Sequence, residues 1–348
     1  MTKKDHSKFK SGKFLYEGSY SCVYHPSPLC HRLIEQIKIN SSKNKQATTD
    51  YVGKMILPQD SLTEWKNAKA LFKMDPLQEY VIYPVQACEN IPVRTSTKCH
   101  LIKKGQKIHV LYIPYEPHTL ADYVLKQKKK IPMKDWIPML YHLVQGLYLL
   151  HDHHMIHQDI KINNVMVTKG NVLKWIDFGI SMKSKDLFDI EKNALYLHTD
   201  YVFHPPEYRY FSRYYYIDKK IEQASLFADH EWYMLHFVIT DVNIRNIDLY
   251  RIFYDYDTYK KEIADLFKTL KGKTKDQIQE IFTEQVNKVD VYGLGLMLLH
   301  IYPYIEVNKS EISQLYFTMI KHMIQPNIFK RYTVRECLRD LQMILQKL

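Results

Sequence analysis

His157-Gln158-Asp159-Ile160-Lys161-Ile162-Asn163-Asn164 is the stretch on which the reading of this chain turns. Upstream lies an amphipathic segment, with Trp136, Ile137, Leu140, Leu143, Val144, Leu147 and Leu150 at helical spacing. Asp135, with Pro138 just inside, marks its start. Downstream, 18 residues beyond Asp159, comes Ile176-Asp177-Phe178-Gly179. Between the two, Asn164–Val167 and Val172–Ile176 predict a hairpin turning at Lys169-Gly170.

Farther out, the chain divides into a β-rich first part and a helix-dominated second part. Gly12–Tyr24 reads as strand-turn-strand around Gly18-Ser19, and Tyr51–Leu57 as a short strand. Ser61-Leu-Thr-Glu64 has the form of a capping box, with Trp65, Ala68, Leu71 and Phe72 following at helical spacing up to Pro76. Tyr80–Val85 and Ile108–Ile113 predict two more strands. In the second part Val291–Ile301 is apolar nearly all round, as a buried helix is, and Leu315–Ile324 and Val334–Leu348 predict further helices. A ligand is expected in a cleft between the two parts.

The sequence of 348 residues is 46% hydrophobic and 25% charged, an ordinary globular balance. Its net charge of +11 fits a solvated basic face. The five cysteines include no CxxC pair, which argues against a disulfide framework or cysteine zinc site and for a reducing compartment. MTKKDHSKFKSGKF lacks an apolar secretory core, and the longest strongly apolar run, Gly293–Tyr302, is too short to span a bilayer. The expectation is a cytoplasmic protein. Tyrosine (28) far outnumbers glycine (10), leaving few places for close backbone approach to a ligand.

The His157–Asn164 stretch resembles the protein-kinase catalytic loop, H-R-D-L-K-x-x-N, and Asp177-Phe178-Gly179 matches its D-F-G motif. The resemblance implies an α+β, two-lobed protein-kinase fold with a small β-rich N-lobe (1–113) and a larger α-helical C-lobe (114–348). It implies transfer of the ATP γ-phosphate to protein substrates, with Mg²⁺ as cofactor. Asp159 would accept or orient the proton of the substrate hydroxyl. Lys161 would steady the γ-phosphate, as is typical of serine/threonine kinases. Asn164 and Asp177 would hold Mg²⁺ through hard oxygen atoms. Tyr16–Val23 resembles the G-x-G-x-x-G-x-V loop with only its middle glycine kept, so Gly18 and Val23 would cover the nucleotide. Lys54 would be the β3 lysine, ion-paired with Glu64.

Three later segments extend the match. His204-Pro205-Pro206-Glu207 resembles A-P-E, and Arg331 matches the arginine that pairs with its glutamate. Val289–Gly295 resembles D-V-W-S-L-G, in which Asp290 would hydrogen-bond the catalytic-loop backbone. These point to a protein kinase rather than a small-molecule kinase. The resemblance spans 12–345, and Lys73–Pro76, Tyr80–Pro84 and Phe203–Glu207 look most like kinases of large DNA viruses, which would place the chain in host cytoplasm or a virion.

The chain also departs from the pattern. Gln158 replaces the H-R-D arginine, which in the family often reads an activation-segment phosphate, so phosphate-dependent activation is not expected. Insertions are expected at about 25–50 and 208–285. Tyr16 and Ser21 stand where glycines are usual, which keeps a pseudokinase or scaffold as the alternative reading. His151–His154 falls on the family's L-H-x-x-x-I-x-H run, which explains it better than a metal cluster. The basic runs Lys103-Lys104 and Lys126–Lys130 read as solvated turns, and no nucleic-acid-binding module is recognisable. Tyr112 and Ile113 are both candidates for the gatekeeper.

Overall fold

Five antiparallel strands begin the structure, a computed structural model. It describes residues 12–18, 20–27, 50–93, 97–127, 129–189, 192, 204–216, 227–229, 231–232, 238–239, 244–245, 248, 250–308 and 310–348. The strands are β1 (Lys13–Glu17), β2 (Ser21–His25), β3 (Tyr51–Ile56), β4 (Gln86–Pro92) and β5 (Lys107–Pro114), in the order β1-β2-β3-β5-β4. One helix, α1 (Pro58–Met74), sits between β3 and β4 in the chain. These elements belong to the first of two compact units, residues 1–117 together with 176–179. Its core gathers Cys22, Tyr24, Met55, Cys88, Val93, Cys99, Ile102, Ile108, Val110 and Tyr112.

Two local expectations are corrected here. Helix α1 does not start at a Ser61 capping box. It starts at Pro58, whose fixed φ and missing N–H suit the first helical position. Ser61 is buried, its hydroxyl donating to Pro58 O at 2.9 Å and lying 2.6 Å from His109 Nδ1. Nor is Tyr80–Val85 a strand, since β4 begins only at Gln86. The Asp75 carboxylate, just past the helix end, accepts the N–H groups of Glu79, Tyr80 and Val81, which are thereby withdrawn from a ladder.

The cysteine argument is corrected too. Cys22 and Cys99 form a disulfide with their Cα atoms 6.0 Å apart, and Cys88 is also disulfide-bonded; Cys337 is a free, buried thiol. Spacing along the chain could not reveal the pairing, because folding of the sheet brings together cysteines 77 residues apart.

The second unit comprises residues 118–175 and 180–348. It opens with β6 (His118–Thr119) and α2 (Leu120–Lys126), whose N-cap Thr119 and Asp122 form a capping box. Helix α3 (Met133–Asp152) follows, starting two residues before the expected Asp135. Strands β7 (Val165–Val167) and β8 (Leu173–Trp175) pair antiparallel, and β7 also pairs with β6. Gly170 and Asn171 take positive φ in the turn, as the Lys169-Gly170 hairpin requires. Helix α4 (Pro206–Tyr216) is followed by α5 (Tyr256–Leu270), α6 (Lys275–Glu284), α7 (Lys288–Ile301), α8 (Glu311–Met323) and α9 (Val334–Leu345). Every residue of α7 from Val289 onward is buried. Its Gly295 permits close packing, since a Cβ there would come within 2.6 Å of Ile324 and 2.8 Å of Met323.

Of the expected insertion at 25–50, residues 28–49 lie outside the described residues. The described portion of 208–285 is tied to the helices after it. Tyr250 donates to Ile324 O at 2.6 Å, Tyr254 donates to Lys321 O at 3.1 Å, and Lys330 binds Glu262 and Asp265 at 2.8 and 3.0 Å. The side chains of Tyr214–Tyr216 lie outside the described residues. Among the described residues no helix is long and apolar enough to cross a membrane.

Candidate active site

The sequence-derived site residues fall into two sets, one in each unit. In the first unit, β3 presents Lys54, and α1 turns Glu64 and Asn67 toward the interior on the same stripe as Ala68 and Leu71. A buried helix face with two polar groups needs partners for them. Lys54 Nζ lies 2.9 Å from Glu64 Oε1, 2.8 Å from Glu64 Oε2, and 2.8 Å from Asp177 Oδ1. Asn67 Nδ2 donates to the carbonyl of Phe178 at 2.8 Å, which pins the segment carrying Asp177.

Burial on its own would lower the Lys54 pKa, but the carboxylates of Asp177 and Glu64 outweigh it and hold the ammonium above the ordinary lysine range. For Glu64, burial raises the pKa while Lys54 opposes the rise. Asp177 is the most accessible of the three, its side chain 41% exposed. It takes φ of 64°, the left-handed region that non-glycine residues seldom adopt and that recurs at functional sites.

Gly18 and Val23 belong to the same unit. The Gly18 N–H donates to Ser21 O at 2.8 Å and closes the β1–β2 turn, while Val23 pairs with Lys54 across β2 and β3. A Cβ on Gly18 would meet the Tyr16 ring at 3.3 Å. Tyr112 on β5 is buried, whereas neighbouring Ile113 is half-buried.

In the second unit Asp159, Lys161 and Asn164 converge. Asn164 Nδ2 donates to Asp159 O at 2.9 Å and Asp159 Oδ2 at 2.7 Å, and Lys161 Nζ lies 2.9 Å from the same Oδ2. The loop holding them hangs on Asp290, at the start of α7. Its Oδ2 accepts the His157 N–H at 2.8 Å, its Oδ1 accepts the Gln158 N–H at 2.9 Å, and His151 Nε2 lies 3.0 Å from Oδ2. Burial works to raise the Asp290 pKa, but the hydrogen bond and charge of His151, aided by His157, lower it overall. Ser181 Oγ donates to His157 O at 3.0 Å.

Gln158, in the arginine's usual place, is 3% exposed with φ of 68°. Its Nε2 donates to the carbonyl of Ile180, and its Oε1 accepts from Tyr208 Oη at 3.1 Å. A neutral amide thus joins the catalytic loop to both flanks of the segment running from Ile180 to α4. Next to Tyr208, Arg209 pairs with buried Glu231, Nε to Oε2 at 2.7 Å. Glu207 meets Arg331 through both carboxylate oxygens, at 2.6 and 2.9 Å.

Sequence reasoning missed Asn67, Ser181 and the Arg209–Glu231 pair. Only Asn67 left a trace, as a polar residue three positions after Glu64 on the buried stripe of an otherwise readable helix.

A "Protein kinase domain" family model matches residues 14–219, more than half of the chain. The chain is similar to the dual specificity protein kinase zakA of Dictyostelium discoideum, 42% identical over 83 residues, covering 23% of this chain and 10% of that protein. It is similar to human cyclin-dependent kinase 9, 27% identical over 136 residues, covering 37% of this chain and 34% of the kinase. Spermatocyte protein spe-8 of Caenorhabditis briggsae is 38% identical over 65 residues, 19% of this chain and 12% of that protein. The matched segments span between a tenth and about a third of these relatives' lengths. The chain belongs to the protein kinase domain family.

Proposed function

We propose that this protein is an active kinase that moves the γ-phosphate of ATP to serine or threonine hydroxyls of protein substrates. The observation that carries the reading is Lys54 held between Glu64 and Asp177 at 2.8–2.9 Å, an arrangement that fixes a buried ammonium beside an accessible carboxylate. Burying such charges without function is costly, which favours a retained nucleotide site.

In this reading Lys54 binds phosphate oxygens of ATP, and Gly18 and Val23 cover the nucleotide. Asp159 orients the substrate hydroxyl, whose oxygen bonds to the γ-phosphorus as the bond to the β,γ-bridging oxygen breaks. The hydroxyl proton passes toward the Asp159 carboxylate and ADP leaves. Lys161 offsets charge on the transferred group, and its presence two residues after Asp159 supports Ser/Thr over Tyr.

The donor set suits Mg²⁺. Asp177 offers an accessible carboxylate, and the Asn164 amide nitrogen is engaged on Asp159, so its oxygen is what it can offer a cation. When bound, the ion would neutralise charge building on the phosphates. The wording of residues 73–76, 80–84 and 203–207 supports kinship with kinases of large DNA viruses, and with it work in host cytoplasm or the virion.

The test is transfer of radiolabel from [γ-³²P]ATP to a panel of Ser, Thr and Tyr peptides, with wild type and Asp177→Ala side by side. Label on Ser/Thr peptides with wild type alone is expected. Equal signal from both proteins, or none from either, would favour a pseudokinase; label on small metabolites alone would favour a different acceptor.

A further inference from the structure

The first unit carries a covalent tie that the kinase reading does not use. Cys22 lies in β2, opposite Glu17 of β1 and Met55 of β3, and next to Val23, which pairs with Lys54. Its sulfur is bonded to Cys99, in the excursion between β4 and β5, and both residues are buried, at 0% and 3% exposure. The residue after Cys99 binds the other strand. The His100 N–H donates to Glu17 Oε2 at 2.9 Å, and its ring Nδ1 lies 3.2 Å from the same oxygen. Glu17 directly precedes Gly18. The excursion's described residues are themselves held: Thr97 Oγ1 donates to Cys99 O and Ile102 O, and Val93 and Gly105 donate their N–H groups to Gln106 O and Val93 O. One anchored segment therefore grips both strands of the hairpin expected to cover the nucleotide.

We propose that the Cys22–Cys99 disulfide, with His100 on Glu17, positions this hairpin, so that ATP affinity depends on the bond being oxidised. The inference rests on the kinase reading above. The hairpin retains only Gly18 where the family pattern has three glycines, so few backbone groups can close on phosphates. β1 lies at the edge of the sheet and reaches β3 through β2, so the outer strand of the hairpin gains support from the segment that grips it. Fixing it before the ligand arrives lowers the ordering cost of binding and is felt in affinity more than in turnover. The positioning groups touch neither the acceptor nor Asp159.

The experiment uses the full chain in four forms: oxidised wild type, wild type reduced with dithiothreitol, Cys99→Ser, and His100→Ala, which keeps the disulfide. Reduction passes two electrons from dithiothreitol into the S–S bond, leaving two cysteine thiols and the cyclic disulfide of the reagent. Steady-state kinetics with ATP and a peptide are paired with amide hydrogen exchange, which needs no activity. Cys99→Ser is expected to raise KM for ATP about five- to tenfold with kcat within about twofold, and His100→Ala to raise it about two- to threefold. Reduction, which opens the disulfide of Cys88 as well, is expected to raise KM in wild type at least as far as Cys99→Ser does, so the assignment to the Cys22–Cys99 bond rests on Cys99→Ser. Exchange quickens over 13–25 and stays slow over β3 and β5.

Unchanged KM and unchanged exchange in Cys99→Ser would overturn the proposal. So would exchange rising equally over the whole sheet, which would mark the bond as general stabilisation. The ligand atoms of Glu17, Cys22 and Cys99 all lie within 4.8 Å of one another, so the reduced chain is also assayed with Zn²⁺. Uptake of one equivalent with hairpin protection intact would overturn the disulfide's role in favour of a metal site. If no form transfers phosphate, the kinase reading fails, and the exchange data still decide whether the tie orders the hairpin.

Discussion

Arg331 grips both carboxylate oxygens of Glu207 across 124 residues of sequence, Nη1 to Oε1 at 2.6 Å and Nη2 to Oε2 at 2.9 Å, with both side chains fully buried. Its remaining donors are engaged as well, Nε on Gln325 O and Nη1 also on Lys288 O, at 2.9 and 3.1 Å. The pair joins the start of α4 to the turn before α9. Removing one partner strands the other charge in the interior, a loss of about 3–5 kcal/mol. Arg331→Met is expected to lower the urea midpoint accordingly, and Arg331→Lys to recover only part, because an ammonium cannot match two oxygens in parallel. Equal midpoints for Arg331→Met and wild type would contradict this.

Asn67→Ala removes the donor that holds the Phe178 carbonyl without touching Lys54, Glu64 or Asp177. A buried carbonyl that loses its donor costs about 1–3 kcal/mol. Because that strain falls on the residue next to Asp177, kcat is expected to fall about tenfold, while unfolding stability drops by only about 1 kcal/mol. A large stability loss with unchanged kcat would show that Asn67 serves packing alone.

His300, buried in α7, has its pKa pushed down to about 3 by burial. It is neutral in the folded chain, whereas an unfolded histidine titrates near 6.5. Between those values the unfolded state binds more protons, so the contribution is complete above about pH 6.5 and is lost as pH falls toward 3. By pH 5 the loss is about 2 kcal/mol. His204, with a pKa pushed down to about 3 first by burial and then by Arg209, acts in the same direction. Urea titrations at pH 8 and pH 5 should show a smaller drop for His300→Phe than for wild type; parallel drops would remove the histidine from the account.

Gln158 bridges Ile180 and Tyr208 with an amide, where the family often sets an arginine to read a phosphate. Phosphatase treatment of the purified protein is expected to leave activity within about twofold. Gln158→Ala should lower it, since both flanks lose their tie. Loss of activity after phosphatase treatment would show that a phosphate is read elsewhere.

The legible part of this protein was that in which chemistry and local order coincide. Asp159, Lys161 and Asn164 lie within one short loop, and the β7–β8 turn announces itself through Gly170. Lys54 could be paired with Glu64 only through resemblance, and its contact with Asp177 was not foreseen, because contact between positions 54 and 177 is a property of the fold. Local rules failed where a neighbour outcompeted them. Ser61 gave up a cap role for His109, and the Tyr80–Val81 amides left the sheet for Asp75. The disulfide was invisible for a similar reason: counting cysteines says nothing of which strand each will occupy.

The same bond has a consequence for a cleaved chain. Residues 22 to 99 form a covalent loop that contains both Lys54 and Glu64. A protease that severs one peptide bond inside that loop yields two pieces that travel as one on a denaturing, non-reducing gel. Nicking alone should therefore not release the amino-terminal piece; it would part from the rest only after the sulfur link is opened as well.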